Sequence, residues 1–227
     1  MPPDLRLLGA IDDGLAAAAD PHRAPKMQAY MKSTMPYLGV PLPTVRAVVK
    51  DSTRLHPPAD LDTLIASATA LWREATHREQ RYAAVALTGL PAADGQLALL
   101  PLYEEMITTG AWWDHVDAVQ PRLRRLLLTH PLELRPVLLA WSGAEDRWLR
   151  RSSIIVQLGA KARTDPELLT TVIDANSGHA DFFVRKAIGW ALRDYARTDT
   201  EWVRRFVADR VDQLSPLSRR EATKHLG

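Results

Sequence analysis

Cysteine is absent from the 227 residues. That removes disulfides, thiol nucleophiles and thiolate metal ligands together, and it suits a reducing cytoplasm, the expected location. Lysine is scarce, with six positions (26, 32, 50, 161, 186 and 224) among 29 basic residues, so arginine supplies the rest. No apolar run reaches the ~20 residues needed to span a bilayer, and no membrane partner is expected. The opening MPPDLRLLGAIDDG has acids inside its apolar stretch, which does not fit a signal peptide. A phosphate-cradling glycine loop, an HExxH pair and a nucleophile elbow are all missing. The seven histidines (22, 56, 77, 115, 130, 179 and 225) are scattered without a ligand constellation, so neither a metal nor a nucleotide cofactor is expected.

What is present is a hydrophobic fraction of 46%, enough for a continuous core. The formal net charge is +2, and the pI is near 9.0. Arginine's planar fork grips phosphate in two-point geometry, which points weakly to nucleic acid. A GC-rich genome would give the same arginine bias. Apolar residues recur at helical spacing, and no useful stretch alternates with strand period. The pattern predicts helices over 4–19, 23–33, 43–56, 60–75, 78–89, 96–108, 113–129, 132–141, 146–162, 166–176, 181–196, 200–213 and 216–225. Asp146, Asp165 with Pro166, Asp181, Thr200, and Ser215 with Pro216 supply capping oxygens or first-turn prolines at the starts. The piece TMPYLGVPL (34–42) must turn, because of Pro36, Gly39 and Pro41.

The helices repeat. RYAA (81–84), VDAV (116–119), RRSS (150–153) and RKAI (185–188) stand 35, 34 and 35 residues apart (116−81, 150−116, 185−150). That is the length of a helix pair in an α-solenoid. The expected fold is therefore all-α, a right-handed α-α superhelix of HEAT-like helix pairs in a single domain, 1–227. The second helix of each pair is expected to line the concave face.

The repeat aligns side chains in columns. Asp117 shares one with Tyr82, Arg151 and Lys186. Four residues earlier stand Arg78, Trp113, Arg147 and Phe182, on the same face because i and i+4 are neighbours. Trp190 lies four beyond Lys186. A basic wall interleaved with aromatics suits a nucleic-acid groove, with cations for phosphate and ring faces for sugars or bases. Each member also has a plain alternative: a core tryptophan, an aspartate paired to Arg151, a solvated Arg150–Arg151 face. The single acid, Asp117, would repel phosphate, so a surface that only binds should avoid it. It fits a reaction that develops positive charge, such as rupture of an N-glycosidic bond.

The blocks AYMKSTMPYLGVPLPTVR (29–46), WWDHVD (112–117), RWLRRSSIIVQL (147–158) and FFVRKAIGWALRDYAR (182–197) resemble the AlkD family of DNA alkylation repair glycosylases, which are HEAT-like repeat proteins. The resemblance implies excision of cationic N7-alkylguanine and N3-alkyladenine from double-stranded DNA, leaving an abasic site without flipping the base. It implies that Asp117 is the catalytic carboxylate and that Trp113 and Trp190 pack on the lesion's deoxyribose. Arg151 resembles the arginine that holds a nearby phosphate, and Tyr30 a tyrosine near the opposite strand. Arg46, Arg147, Arg150, Phe182 and Lys186 complete the expected DNA-contact set, in a chain expected to act as a monomer. Met35 and Tyr37 stand where the family usually has a phenylalanine pair. Trp112 and His115 are expected to pack rather than react. The residues fit methyl lesions and bulky adducts alike. The competing class is a non-catalytic HEAT-like scaffold for DNA structures or proteins, marked by binding without base release. A helix–hairpin–helix glycosylase would need a glycine-rich hairpin, which is absent.

Overall fold

The computed structural model describes residues 1–224, which form thirteen α-helices and three short 3-10 turns, with no strand among the described residues. The all-helical expectation holds. Residue 225, the expected end of the last helix and one of the seven histidines, lies outside the described residues. No described helix is long and apolar enough to cross a membrane. The chain divides into two compact units, Met1–Leu102 and Tyr103 onward.

The first unit holds α1 (Leu5–Ala17), α2 (Ala24–Met31), α3 (Leu42–Leu55), α4 (Leu61–Arg73) and α5 (Arg78–Leu87). Within it α1 packs on α3, α4 and α5, and α5 packs on α3 and α4. The loop between α2 and α3 turns as expected, and Gly39 carries the turn at φ +84°. A Cβ there would lie 2.2 Å from the Asp20 carbonyl oxygen, so only glycine fits. The loop is fastened by a residue the sequence pattern did not single out. Glu79 on α5 is 0% exposed, and its carboxylate accepts the backbone N–H groups of Leu38, Gly39 and Val40 at 2.9, 2.9 and 3.0 Å. A carboxylate can be buried when its lone pairs are met in this way.

The boundary falls within α6 (Leu100–Gly110). The second unit continues through α7 (Trp113–Thr129), α8 (Pro131–Ser142), α9 (Arg147–Ile155), α10 (Pro166–Asp174), α11 (Phe182–Tyr195), α12 (Thr200–Asp209) and α13 (Pro216–Thr223). Helices α7, α9, α11 and α13 pack side by side in order, while α8 and α10 back α9, and α12 backs α11 and α13. The apolar stripe of α7 (Val116, Val119, Leu123, Leu126) is buried, and α11 buries Val184, Ala187, Ile188 and Leu192 likewise. Each buried valine, leucine or isoleucine among them contributes roughly 1.5–3 kcal/mol. The 34- and 35-residue steps are real: Arg78, Trp113, Arg147 and Phe182 are the first residues of α5, α7, α9 and α11.

Asp146, Asp165, Asp181 and Ser215 cap their helices as expected. Thr200 does not. Asp199 caps α12, and the Thr200 hydroxyl turns back to the Ala196 carbonyl. The helix expected over 96–108 opens instead as a 3-10 turn, Leu97–Leu99, before α6. The helix expected over 146–162 stops at Ile155. Here Gln120 reaches across from α7 to take the Val156 and Leu158 carbonyls at 3.0 and 3.1 Å, and Gly159 breaks away at φ +76°. The helix expected over 200–213 ends at Asp209.

Candidate active site

Helix α7 begins on a tight corner. Ala111 sits at φ +41°, a left-handed conformation that costs a residue with a Cβ about 1 kcal/mol or more. Trp113 is then the first helical residue, and Asp117 lies one turn on, on the same face. Pro121, four residues further, has no N–H to give, so the Asp117 carbonyl lacks its usual helical donor. The side chain is better provided for. Asp117 is 20% exposed and Arg151 of α9 only 4%. The guanidinium meets both carboxylate oxygens, Nε to Oδ1 and Nη2 to Oδ2, each at 2.9 Å. Its Nη1 donates to the Phe183 carbonyl at 2.8 Å, and its Cζ lies 5.7 Å from the Trp190 ring centre.

Burial pushes the Asp117 carboxyl above the ordinary aspartate range, while the hydrogen bond and charge of Arg151 pull it back and Asp114 pushes it up again. Burial wins. The result is a carboxylate whose proton affinity is raised although a cation holds it.

Around this pair is a pocket of about 260 Å³, walled by Trp113, Asp117, Arg151, Phe182, Phe183, Lys186, Trp190 and Arg193. Of the seven column residues that belong to the second unit, six meet here. Arg147 is the exception. It lies outside the lining, pairs with Asp181 at 3.1 Å and covers the Trp148 ring. Phe182 is 52% exposed at the rim. The arrangement offers a partly open carboxylate, two half-buried indoles and rim cations. A cation developing in that space would be stabilised by the carboxylate and by the ring faces. Among the described residues no group of three or more histidines and carboxylates is placed to hold a metal ion.

The model for DNA alkylation repair enzymes matches residues 11–226. The chain belongs to this family. A solved structure described as a predicted DNA alkylation repair enzyme from Enterococcus faecalis is 32% identical, with a TM-score of 0.82 over 92% of this chain and 97% of that one. An alkylpurine DNA glycosylase from Pseudomonas fluorescens, AlkC, bound to DNA containing an abasic site analog, is 19% identical, with a TM-score of 0.48 over 97% of this chain and 62% of that one. No curated protein matches.

In this member of the family, the other expected contact residues fall elsewhere. Tyr30 on α2 is 77% exposed, and Arg46 on α3 is exposed, both in the first unit. Tyr82 also lies in that unit and bonds the Tyr37 hydroxyl at 2.8 Å. Tyr37 is buried, so it belongs to the core of that unit. Arg150 does not join its neighbour Arg151. Its guanidinium takes the Ser142, Gly143 and Ala144 carbonyls at the end of α8, and the Asn176 side chain. It ties α8 and α10 to α9. Trp112 packs against Trp148 and Phe183 at 6.0 and 5.4 Å, and His115 is fully buried. Both are packing residues, as expected.

Asp117 is the one acid in the pocket lining, and a second carboxylate outside that lining pairs with two of its cations. Glu221 on α13 holds Lys186 at 3.0 Å and Arg193 at 2.6 Å. The Lys186 hydrogen bond holds its carboxyl below the ordinary glutamate range; burial opposes this and Arg193 adds to it. Glu221 was within reach of the sequence, because it lies one further 35-residue step past Lys186 (221−186). Phe183 and Arg193 carry no comparable signal beyond their place on α11.

Proposed function

We propose that this chain is a DNA glycosylase that hydrolyses the N-glycosidic bond of cationic alkylated purines in duplex DNA and leaves an abasic site. The observation that carries the reading is Asp117, partly open in a pocket between Trp113 and Trp190 and held in two-point geometry by buried Arg151. An N7-alkylguanine or N3-alkyladenine already carries positive charge. When its C1′–N bond breaks, the electron pair goes to the base, which leaves neutral without needing a proton from an acid. The sugar becomes oxocarbenium-like, and a water oxygen adds to C1′ and loses a proton. Asp117 opposes the sugar's charge and orients that water, while the indole faces of Trp113 and Trp190 add cation–π attraction. With the carboxylate at the pocket wall and the pocket small, the lesion is engaged from the groove and stays in the stack.

The test is release of N7-methylguanine from methylated duplex DNA. Asp117→Asn keeps an acceptor for Arg151 but removes the charge, and is expected to slow release by roughly 100-fold or more. A wild type that releases nothing, or an equally fast variant, overturns the reading. The two-point pairing with Arg151 supports a second reading, a HEAT-like DNA-binding scaffold in which Asp117 is only a structural ion pair. Tight DNA binding with no base release from any alkylated substrate would establish that reading instead.

A further inference from the structure

A second pocket, of about 460 Å³, lies between the start of α11 and the start of α13. Arg185 and Arg219 line it, with His179, Ser215 and Asp212. Several arginines of this unit pair with carboxylates: Arg135, Arg147, Arg151, Arg193, Arg204 and Arg210 all form ion pairs. Arg185 and Arg219 form none among the described residues, and the Arg185 Nε is buried without a protein acceptor. Buried N–H groups of this kind normally have a partner. His179 accepts the Asp181 N–H through Nδ1 at 3.1 Å, which leaves Nε2 as a donor. Ser215 caps α13, and the positive end of that helix faces the same space. Asp212, the one carboxylate in the lining, is exposed and pairs with neither arginine.

We propose that this pocket binds a phosphate group, supplied by the backbone of the DNA duplex that the first pocket engages. Only the source of the phosphate rests on the glycosylase reading. Two guanidinium forks, an imidazole N–H and a helix N-terminus are donors matched to phosphate oxygens. Arg185 is also the immediate neighbour of Lys186, which lines the first pocket. The two pockets therefore flank one turn of α11. A helix is ~10–12 Å across with side chains, which is about three nucleotides at ~3.4 Å each along one strand. The phosphate would lie a few positions from the lesion and fix its register.

Binding of undamaged duplex over a salt series tests this for wild type, the Arg185→Gln/Arg219→Gln double variant, and Arg204→Gln as a control on α12. Loss of one phosphate contact is expected to shrink the log–log salt slope by about 0.9 in the double variant and not in the control. Arg219→Lys, which keeps the charge, is expected to retain the slope. In parallel, inorganic phosphate at matched ionic strength against chloride is expected to raise the Tm of wild type and not of the double variant. If the double variant does not fold, Arg219→Gln alone, at a part-buried position, takes its place. A phosphate effect on Tm with an unchanged slope supports the pocket and overturns the DNA source. Neither effect overturns the pocket. A wild type that binds no duplex overturns the DNA source together with the glycosylase reading, and the inorganic phosphate arm still decides the pocket.

Discussion

Arg151 reaches Asp117 through two nitrogens and the Phe183 carbonyl through a third, so it fixes the carboxylate against both α9 and α11. Removing it leaves burial unopposed at Asp117. In Arg151→Gln the acid limb of the pH–rate profile for base release is expected to move to higher pH, because both influences of Arg151 favour the charged form. An unmoved limb would mean that Arg151 does not tune this carboxyl. The stability effect has a definite sign. Folded Asp117 keeps its proton at pH values where the unfolded chain has released it, so the folded state binds more protons there. Its contribution is fully present below the ordinary aspartate value of 3.8 and is lost as pH rises through the raised folded value. Unfolding free energies of wild type and Asp117→Asn, compared across that range, should differ with this slope. At this scale the sequence was informative about partners one repeat step apart, Asp117 with Arg151 among them. It gave no warning that Arg150 and Arg151, adjacent in the chain, would serve opposite sides of α9.

Helices α11 and α13 meet at a glycine. A Cβ on Gly189 would come 2.4 Å from the Glu221 Cβ and 2.8 Å from the Ser218 carbonyl oxygen, and the second is backbone that cannot swing aside. Gly189→Ala is therefore expected to cost about 1–3 kcal/mol as overpacking. It should also loosen the hold of Glu221 on Lys186 and Arg193, since that grip depends on α13 lying close. Urea denaturation reads the first effect. A variant as stable as wild type would show that α13 accommodates the methyl group. Helix starts were legible where caps and first-turn prolines supply local chemistry; the cap of α12 was missed by one residue, Thr200 for Asp199, and α6 begins at Leu100 instead of 96. Helix ends were less legible. The end of α9 is set by Gln120 from another helix, and no property of residues 156–162 announces that contact.

Across the whole molecule, the arginine content overstates the free basic surface. Arg135, Arg147, Arg151, Arg193, Arg204 and Arg210 are engaged with carboxylates and Arg150 with carbonyls, so composition was a poor guide to where unpaired positive charge lies. The repeat spacing was a better guide, because it reports packing and not charge. It points to Trp113, Asp117, Arg151, Phe182, Lys186 and Trp190 of the pocket lining, though not to Phe183 and Arg193. It could not find Glu79, whose partners are backbone groups of a loop about forty residues away. That carboxylate changes how the loop should behave over time. Residues 38–40 have no regular secondary structure, yet their amides are held by a buried acceptor. They are expected to exchange with deuterium as slowly as core helix amides of the same unit, opening only when that unit opens. Glu79→Gln should release them to fast exchange by local unfolding, and fast exchange in the wild type would mean the loop opens on its own. An irregular segment would then be among the last parts of its unit to let solvent in.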